Sequence, residues 1–258
     1  MALLATDRVG KNFGGFRVLN EVSLTVNEKS FTGLVGPNGS GKTTLFNVIY
    51  GLLRPDSGAV FFRGENITGL PPFALYERGL ALAFQIPRLF GSLSVLDNLF
   101  LAAPHVAGTH PAAALFCRRY WQTKERELAA RAKEVLELLE LTPLSLKPAR
   151  ELSGGQRKLL EIGRTLMASP TLILLDEPAA GVNPVLGRKI YETLKRLQRE
   201  AGITFFVIEH RLEILFDFAD QVYLMDAGHV VLAGTPQAVL ADPAFYTIYA
   251  GESSQWRS

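Results

Sequence analysis

Gly36-Pro37-Asn38-Gly39-Ser40-Gly41-Lys42-Thr43 has the pattern G-x-x-x-x-G-K-[ST]. The chemistry such a run serves is the holding of a triphosphate. Glycines let backbone N–H groups turn inward around phosphate oxygens, and a helix that follows directs its positive end at them. Lys42 supplies a mobile point charge to the β- and γ-phosphates, and the Thr43 hydroxyl can ligate Mg²⁺.

A second group of candidates lies far along the chain. Leu172-Ile173-Leu174-Leu175-Asp176-Glu177 joins four apolar residues to two acids. The apolar run predicts a buried strand, so Asp176 emerges at the carboxyl edge of a sheet, where ligands bind in open α/β folds. There Asp176 can hold Mg²⁺ directly or through water. Glu177 can orient and deprotonate an attacking water. Leu152-Ser153-Gly154-Gly155-Gln156 opens a predicted helix. Ser153 with Gln156 fits a capping box, yet two glycines in a first turn cost about 1 kcal/mol each against alanine. Bare backbone at a helix start suits an anion that must come very close. A second phosphate-binding helix start, over a hundred residues from the first, predicts a composite site.

The elements that position these residues follow from periodicity. Val22–Val26 alternates apolar and polar residues and predicts a half-buried antiparallel strand. Phe31–Val35 is a short apolar strand that stops at the turn Gly36–Gly39, and Thr43–Leu53 is the helix after it. Ala59–Phe62, Leu80–Phe84, Leu172–Leu175 and Ile203–Ile208 read as further strands. Apolar stripes at helical spacing (Leu128, Ala132, Val135, Leu136, Leu139; then Ile190, Leu194, Leu197, Ala201; then Leu212, Leu215, Phe216, Ala219) mark three helices. Val222–Met225 and Val230–Ala233 flank a hairpin with Ala227-Gly228 at its tip. Strands alternating with helices predict a mostly parallel α/β sheet.

Composition narrows the classes. The 258 residues carry 27 Lys+Arg against 25 Asp+Glu, a formal +2, which gives no reason to expect a nucleic-acid surface. A hydrophobic content of 48% with 20% charged residues fits a filled core rather than disorder. The single cysteine, Cys117, excludes an intrachain disulfide and a cysteine-based zinc site, and reads as a small apolar side chain. The longest run without Asp, Glu, Lys or Arg, Asn98–Cys117, holds Pro104, Pro111, His105 and His110 and makes a poor bilayer helix. Met1–Lys11 lacks the apolar core of a signal peptide. A cytoplasmic protein that meets a membrane only through partners is expected.

Taken together these motifs resemble the ATP-binding subunit of an ABC transporter over essentially the whole chain. Gly36–Thr44, including Thr44, resembles Walker A, Gln85 the Q-loop, Leu152–Gln156 the signature, Leu172–Asp176 Walker B, and His210 the switch histidine. The resemblance implies a P-loop NTPase (RecA-like) α/β core with an antiparallel β subdomain and a helical insertion. As a single ABC domain, its boundaries would be 1–85 for the β subdomain and P-loop, 86–154 for the helical part, and 155–258 for the rest of the core. It implies MgATP as the bound species and a head-to-tail dimer in which Ser153 and Gly155 of one subunit meet the γ-phosphate held by the other's Walker A. It also implies that Gln85 sits near Mg²⁺ and the membrane partner, that His210 contacts the γ-phosphate, and that Phe13 stacks on adenine.

One position departs from the family: Ala180-Gly181-Val182-Asn183-Pro184 puts Asn183 where an acid is usual. Yet Pro178–Pro184 is similar to the branch that energises import of branched-chain amino acids. So are Phe84-Gln85 followed by Arg88-Leu89-Phe90, the insertion near Phe116–Trp121, Leu160-Glu161-Ile162, and Val207-Ile208-Glu209-His210. That branch implies a peripheral subunit on the cytoplasmic face of the membrane, partnered by transmembrane permease subunits, by itself or a related ATPase, and indirectly by a substrate-binding protein. ATPases serving another cargo (urea or amides, lipopolysaccharide) and soluble ABC ATPases share the same core motifs.

Overall fold

The computed structural model describes residues 1–83, 89–104 and 118–250; in the last segment the side chains of 118–122 and Ala250 are excluded. Gln85, Phe84, Arg88, Phe116 and Cys117 therefore lie outside the described residues. The chain divides into two compact units, 1–85 with 171–258, and 86–170.

In the first unit a four-stranded sheet has the order β2-β1-β4-β5, from β1 (Ala2–Phe13), β2 (Phe16–Asn27), β4 (Ser57–Phe62) and β5 (Glu65–Asn66). A six-stranded sheet has the order β10-β9-β3-β8-β7-β6. Its strands are β3 (Phe31–Val35), β6 (Leu80–Ala83), β7 (Leu172–Asp176), β8 (Thr204–Ile208), β9 (Gln221–Asp226) and β10 (His229–Gly234). Strands β9, β3, β8, β7 and β6 run parallel to their neighbours, and only β10 is antiparallel. β3, β7 and β8 are apolar almost throughout, as strands covered on both faces must be.

Helix α1 (Lys42–Ile49) follows β3 and ends earlier than the expected Leu53, at Tyr50. Its Leu45, Phe46 and Ile49 share one core with Leu34, Leu172, Leu174, Phe206 and Ile208 of the six-stranded sheet and with Leu4, Val9, Leu19 and Val22 of the smaller sheet. The Phe46 and Phe206 rings lie 4.9 Å apart. A short helix α2 (Pro72–Glu77) precedes β6. Elsewhere in the unit, Phe31 lies 5.9 Å from Tyr191 and 5.6 Å from Phe205. After α3 (Val95–Phe100), α4 (Arg118–Leu138) and α5 (Gly154–Leu166) of the second unit come α6 (Pro184–Ala201), α7 (Leu212–Phe218), α8 (Pro236–Ala241) and α9 (Pro243–Ala250). The α6 stripe is buried at Ile190, Leu194 and Leu197, but Ala201, at the last turn, is exposed.

Strand β1 carries no clean alternation in the sequence. Its pairing with β2 shifts register four times, and Arg8 and Glu21 adopt φ of 45° and 52°. Each bulge moves the following residues to the other face, which erases the period-2 signal.

The second unit places the sequence boundary differently from position 154. Gly163 of α5 sits so close to Leu139, Leu99 and Val135 that a Cβ there would lie 2.8 to 3.3 Å from their methyl groups. The Arg131 guanidinium of α4 also donates to the Leu166 carbonyl at 2.7 and 3.2 Å, closing the C-terminal end of α5. α5 thus packs with α3 and α4 inside the 86–170 unit. The α4 stripe is buried at Ala132, Val135, Leu136 and Leu139 and half-buried at Leu128. Its charges pair along the helix, Lys124 with Glu127 at 2.7 Å and Arg131 with Glu134 at 2.8 Å. Among the described residues no helix is long and apolar enough to cross a membrane.

Candidate nucleotide site

The loop between β3 and α1 is set by what surrounds it. Gly36 has φ 149°, and a Cβ there would drive into the Met225 carbonyl oxygen of β9. Gly41 has φ 101°, and its Cβ would lie 2.8 Å from the Val18 carbonyl oxygen of β2. Only glycine satisfies both the sign of φ and the space. From below, the tip of the β9–β10 hairpin braces the loop, Gly228 N–H donating to the Ser40 carbonyl at 3.1 Å and accepting at its own carbonyl from Asn20 N–H at 2.9 Å. The tip has φ 43° at Ala227 and 81° at Gly228, the doubly left-handed geometry of a two-residue hairpin.

Lys42, 5% exposed, folds its ammonium over this loop and donates to the carbonyls of Gly36 (2.7 Å) and Pro37 (2.9 Å). No acidic residue stands in the first turn of α1 itself, so the positive end of the helix and the Lys42 charge point the same way. Asn38 and Gly39 are exposed on the rim, Ser40 is buried, and Thr44 is half-buried on α1.

Asp176 ends β7 beside this loop. The Thr43 hydroxyl hydrogen-bonds its carboxylate, while Oδ1 is buried with no hydrogen-bond partner. Burial first, and then the Glu177 charge, push the Asp176 carboxyl above its ordinary value; the Thr43 bond, His210 and Lys42 oppose the rise. An orphaned carboxylate oxygen next to a threonine hydroxyl is a fit for a hard divalent cation. Among the described residues no three His, Cys, Asp or Glu side chains cluster so as to hold a metal unaided.

Glu177 turns away from the strand with φ 50°, its N–H donating to the Ile208 carbonyl at 2.9 Å. Its Oε1 lies 3.0 Å from Nε2 of His210. Lys42, Thr43, Asp176, Glu177 and His210 thus form one site within the first unit. Phe13 is 44% exposed at the end of β1, and the Lys11 ammonium lies 5.6 Å from its ring centroid. Phe16, across the Gly14-Gly15 turn, is more exposed still.

In the second unit Ser153 caps α5: its hydroxyl accepts from Gln156 N–H at 3.3 Å, and Gln156 Oε1 accepts from Ser153 N–H at 2.9 Å. Ser153 and Gly154 are exposed and Gly155 is buried. Asn183 caps α6 in the same manner, its Oδ1 accepting from Leu186 N–H at 2.9 Å, a task for which Asn and Asp are equivalent. The sequence assigns no role to Tyr191, and Glu209 figures in it only as part of the Val207–His210 run. Glu209 is 2% exposed and bonded to the Tyr191 hydroxyl at 3.0 Å. The available signal was an acid placed directly after the apolar run Thr204–Ile208.

Residues 19–180 match the model of the family described as ABC transporter. A probable branched-chain amino acid transport ATP-binding protein LivG of Methanocaldococcus jannaschii is 42% identical, with 98% of each chain covered. The high-affinity branched-chain amino acid transport ATP-binding protein BraF of Pseudomonas aeruginosa is 34% identical over 97% of this chain and 98% of its own. A crystal structure of the ADP conformation of an ATP-binding cassette of an ABC transporter superposes with a TM-score of 0.85 at 42% identity, covering 97% and 99% of the two chains. With the P-loop, the Walker B strand and the signature helix all in place, the chain belongs to the ABC transporter family and is an ATPase of the P-loop NTPase fold.

Proposed function

We propose that this chain is the ATP-hydrolysing subunit of an importer of branched-chain amino acids. The observation that carries the reading is near end-to-end similarity to relatives named for that transport, joined to a site whose acid, base and phosphate-binding residues converge.

In this reading the Gly36–Thr44 loop binds the phosphates, and Gly36, Pro37, Asn38, Gly39, Ser40 and Gly41 shape it. Lys42 carries the positive charge to the β- and γ-phosphates. Phe13 stacks on the adenine face. Thr43 and Asp176 would hold Mg²⁺, joined by Gln85, and when bound the cation neutralises charge on the phosphates. Glu177 is the general base for the attacking water, and His210, hydrogen-bonded to it, orients it and contacts the γ-phosphate. Ser153, Gly154, Gly155 and Gln156 form a helix start, exposed at Ser153 and Gly154 and without an acid in its first turn, that meets the nucleotide of a second subunit. Closure of that dimer on two MgATP, and its opening after hydrolysis, drives transmembrane permease subunits from the cytoplasmic face, with a substrate-binding protein acting on their far side.

The test is reconstitution of the chain in liposomes with transmembrane permease subunits of a branched-chain amino acid importer. ATP-dependent uptake of leucine or valine, lost with Glu177→Gln, is the expected result. Uptake of another cargo, or ATPase activity indifferent to any permease, would overturn the reading.

A further inference from the structure

We propose that Glu209 and Tyr191 are positioning residues for His210: a buried carboxylate, tethered by a tyrosine hydroxyl, sets the backbone that carries the histidine. The proposal rests on the reading of His210 as the partner of a catalytic Glu177.

The His210 side chain is 40% exposed, so packing alone does not aim its ring. Its main chain, by contrast, is closely held. Glu209 Oε1 accepts from the N–H of His210 at 3.0 Å and from that of Arg211 at 3.2 Å. These two bonds fix the turn from β8 into α7, and with it the direction in which the His210 Cβ leaves the chain. The other oxygen, Oε2, accepts from the Tyr191 hydroxyl at 3.0 Å.

Tyr191 is fully buried in α6, with its ring 5.9 Å from Phe31 and 5.6 Å from Phe218. Burial first, and the Glu209 charge next, raise the Tyr191 hydroxyl well above the ordinary phenol range, so it remains a donor. Starting a seven-residue helix does not call for a buried carboxylate. Arg211, the residue before α7, makes no side-chain cap bond, and an Asn or Ser would cap as well at far lower desolvation cost. What a long side chain with two oxygens adds is reach: it ties the His210 main chain to α6, the helix that Asn183 caps. The ring then meets Glu177 Oε1 at 3.0 Å.

The test is steady-state ATPase of the purified full chain and of its Y191F, E209Q, E209A and H210A variants, with Y191F and E209Q repeated in the H210A background. Y191F is expected to lower kcat by about 3- to 10-fold with KM for ATP within about twofold, the mark of an interaction expressed at the transition state. E209Q, which keeps an acceptor for the two N–H groups, should lie closer to the parent than E209A. In the H210A background Y191F and E209Q should cost nothing further, because residues acting through one group are not additive. Equal fold losses in both backgrounds, or unaltered kcat in Y191F and E209Q, would overturn the proposal while leaving the role of His210 intact. An H210A enzyme with full turnover would remove that role and the proposal together. If neither Y191F nor E209Q folds, the pair serves stability and the proposal fails.

Discussion

His210 Nε2 and Glu177 Oε1 stand 3.0 Å apart, and the acid is the partner held in the less favourable backbone conformation, at φ 50°. A left-handed turn at a non-glycine residue costs roughly 1–2 kcal/mol. Here it follows a five-residue buried strand and lifts the carboxylate out of the sheet toward the histidine. Glu177→Gln preserves size and backbone but cannot take a proton. ATP binding should persist while turnover falls by roughly 10²–10⁴, the usual worth of a general base. Single-turnover hydrolysis set against a nucleotide titration checks both halves.

Asp176→Asn separates catalysis from stability. Because the Asp176 carboxyl is raised by burial and by Glu177, the folded state disfavours its charge. The sign is that of a group whose stabilising form is the protonated one, complete at low pH and lost as pH rises through the raised pKa. At neutral pH the amide should therefore make the nucleotide-free protein more stable, by about 1 kcal/mol, while Mg²⁺-dependent hydrolysis collapses. Thermal melts with and without MgATP distinguish the two effects.

Gly36→Ala should damage the nucleotide loop in a manner no charge change repairs. The new Cβ meets the Met225 carbonyl, a backbone atom that cannot swing aside. A loss of about 2–4 kcal/mol in stability, or weakened nucleotide affinity if the loop yields instead, is expected. Lys42→Ala should remove binding or hydrolysis, as a nucleotide titration and an ATPase assay would show, because it deletes the charge held over the loop at the Gly36 and Pro37 carbonyls.

Asp220 offers a pH test remote from the nucleotide. Burial works to raise its carboxyl, but Lys195, the Phe31 N–H and Gln198 outweigh that and lower it. A lowered carboxyl contributes stability that is present above its unfolded pKa and lost as pH falls through the folded one. Asp220→Asn should therefore destabilise the protein at pH 7 by about 1 kcal/mol, allowing for the partial exposure of the pair. The gap between variant and parent should narrow below about pH 4. Urea melts across that range measure it.

The sequence made much of this visible because phosphate chemistry leaves local marks. The Gly36–Thr43 run, the apolar strand before Asp176, and the alternation of strands with helices that marks a parallel sheet all depend on neighbours in the chain. The hairpin at Ala227-Gly228 was legible for the same reason. Strand β1 was not, because its bulges near Arg8 and the steps of its register scramble the alternation that betrays a strand. The membership of α5 was also hidden. Nothing local to Gly163 says that Leu99 and Leu139 will close around it. The pairing of Glu209 with Tyr191 was hidden because it joins residues on separate elements. Asn183, a departure from the family by charge, proves to be an ordinary helix cap by geometry.

The bracing of the nucleotide loop by the β9–β10 hairpin bears on how the protein comes into being. The loop is made early in synthesis, yet the Met225 carbonyl and the Gly228 amide that support it belong to the last quarter of the chain. A nascent polypeptide emerging from the ribosome owns the phosphate-binding letters long before it owns the floor beneath them. The loop's shape is thus set by groups distant along the chain, and a fragment ending before β9 should hold the Gly36–Thr43 letters without the Met225 and Gly228 contacts that flank them.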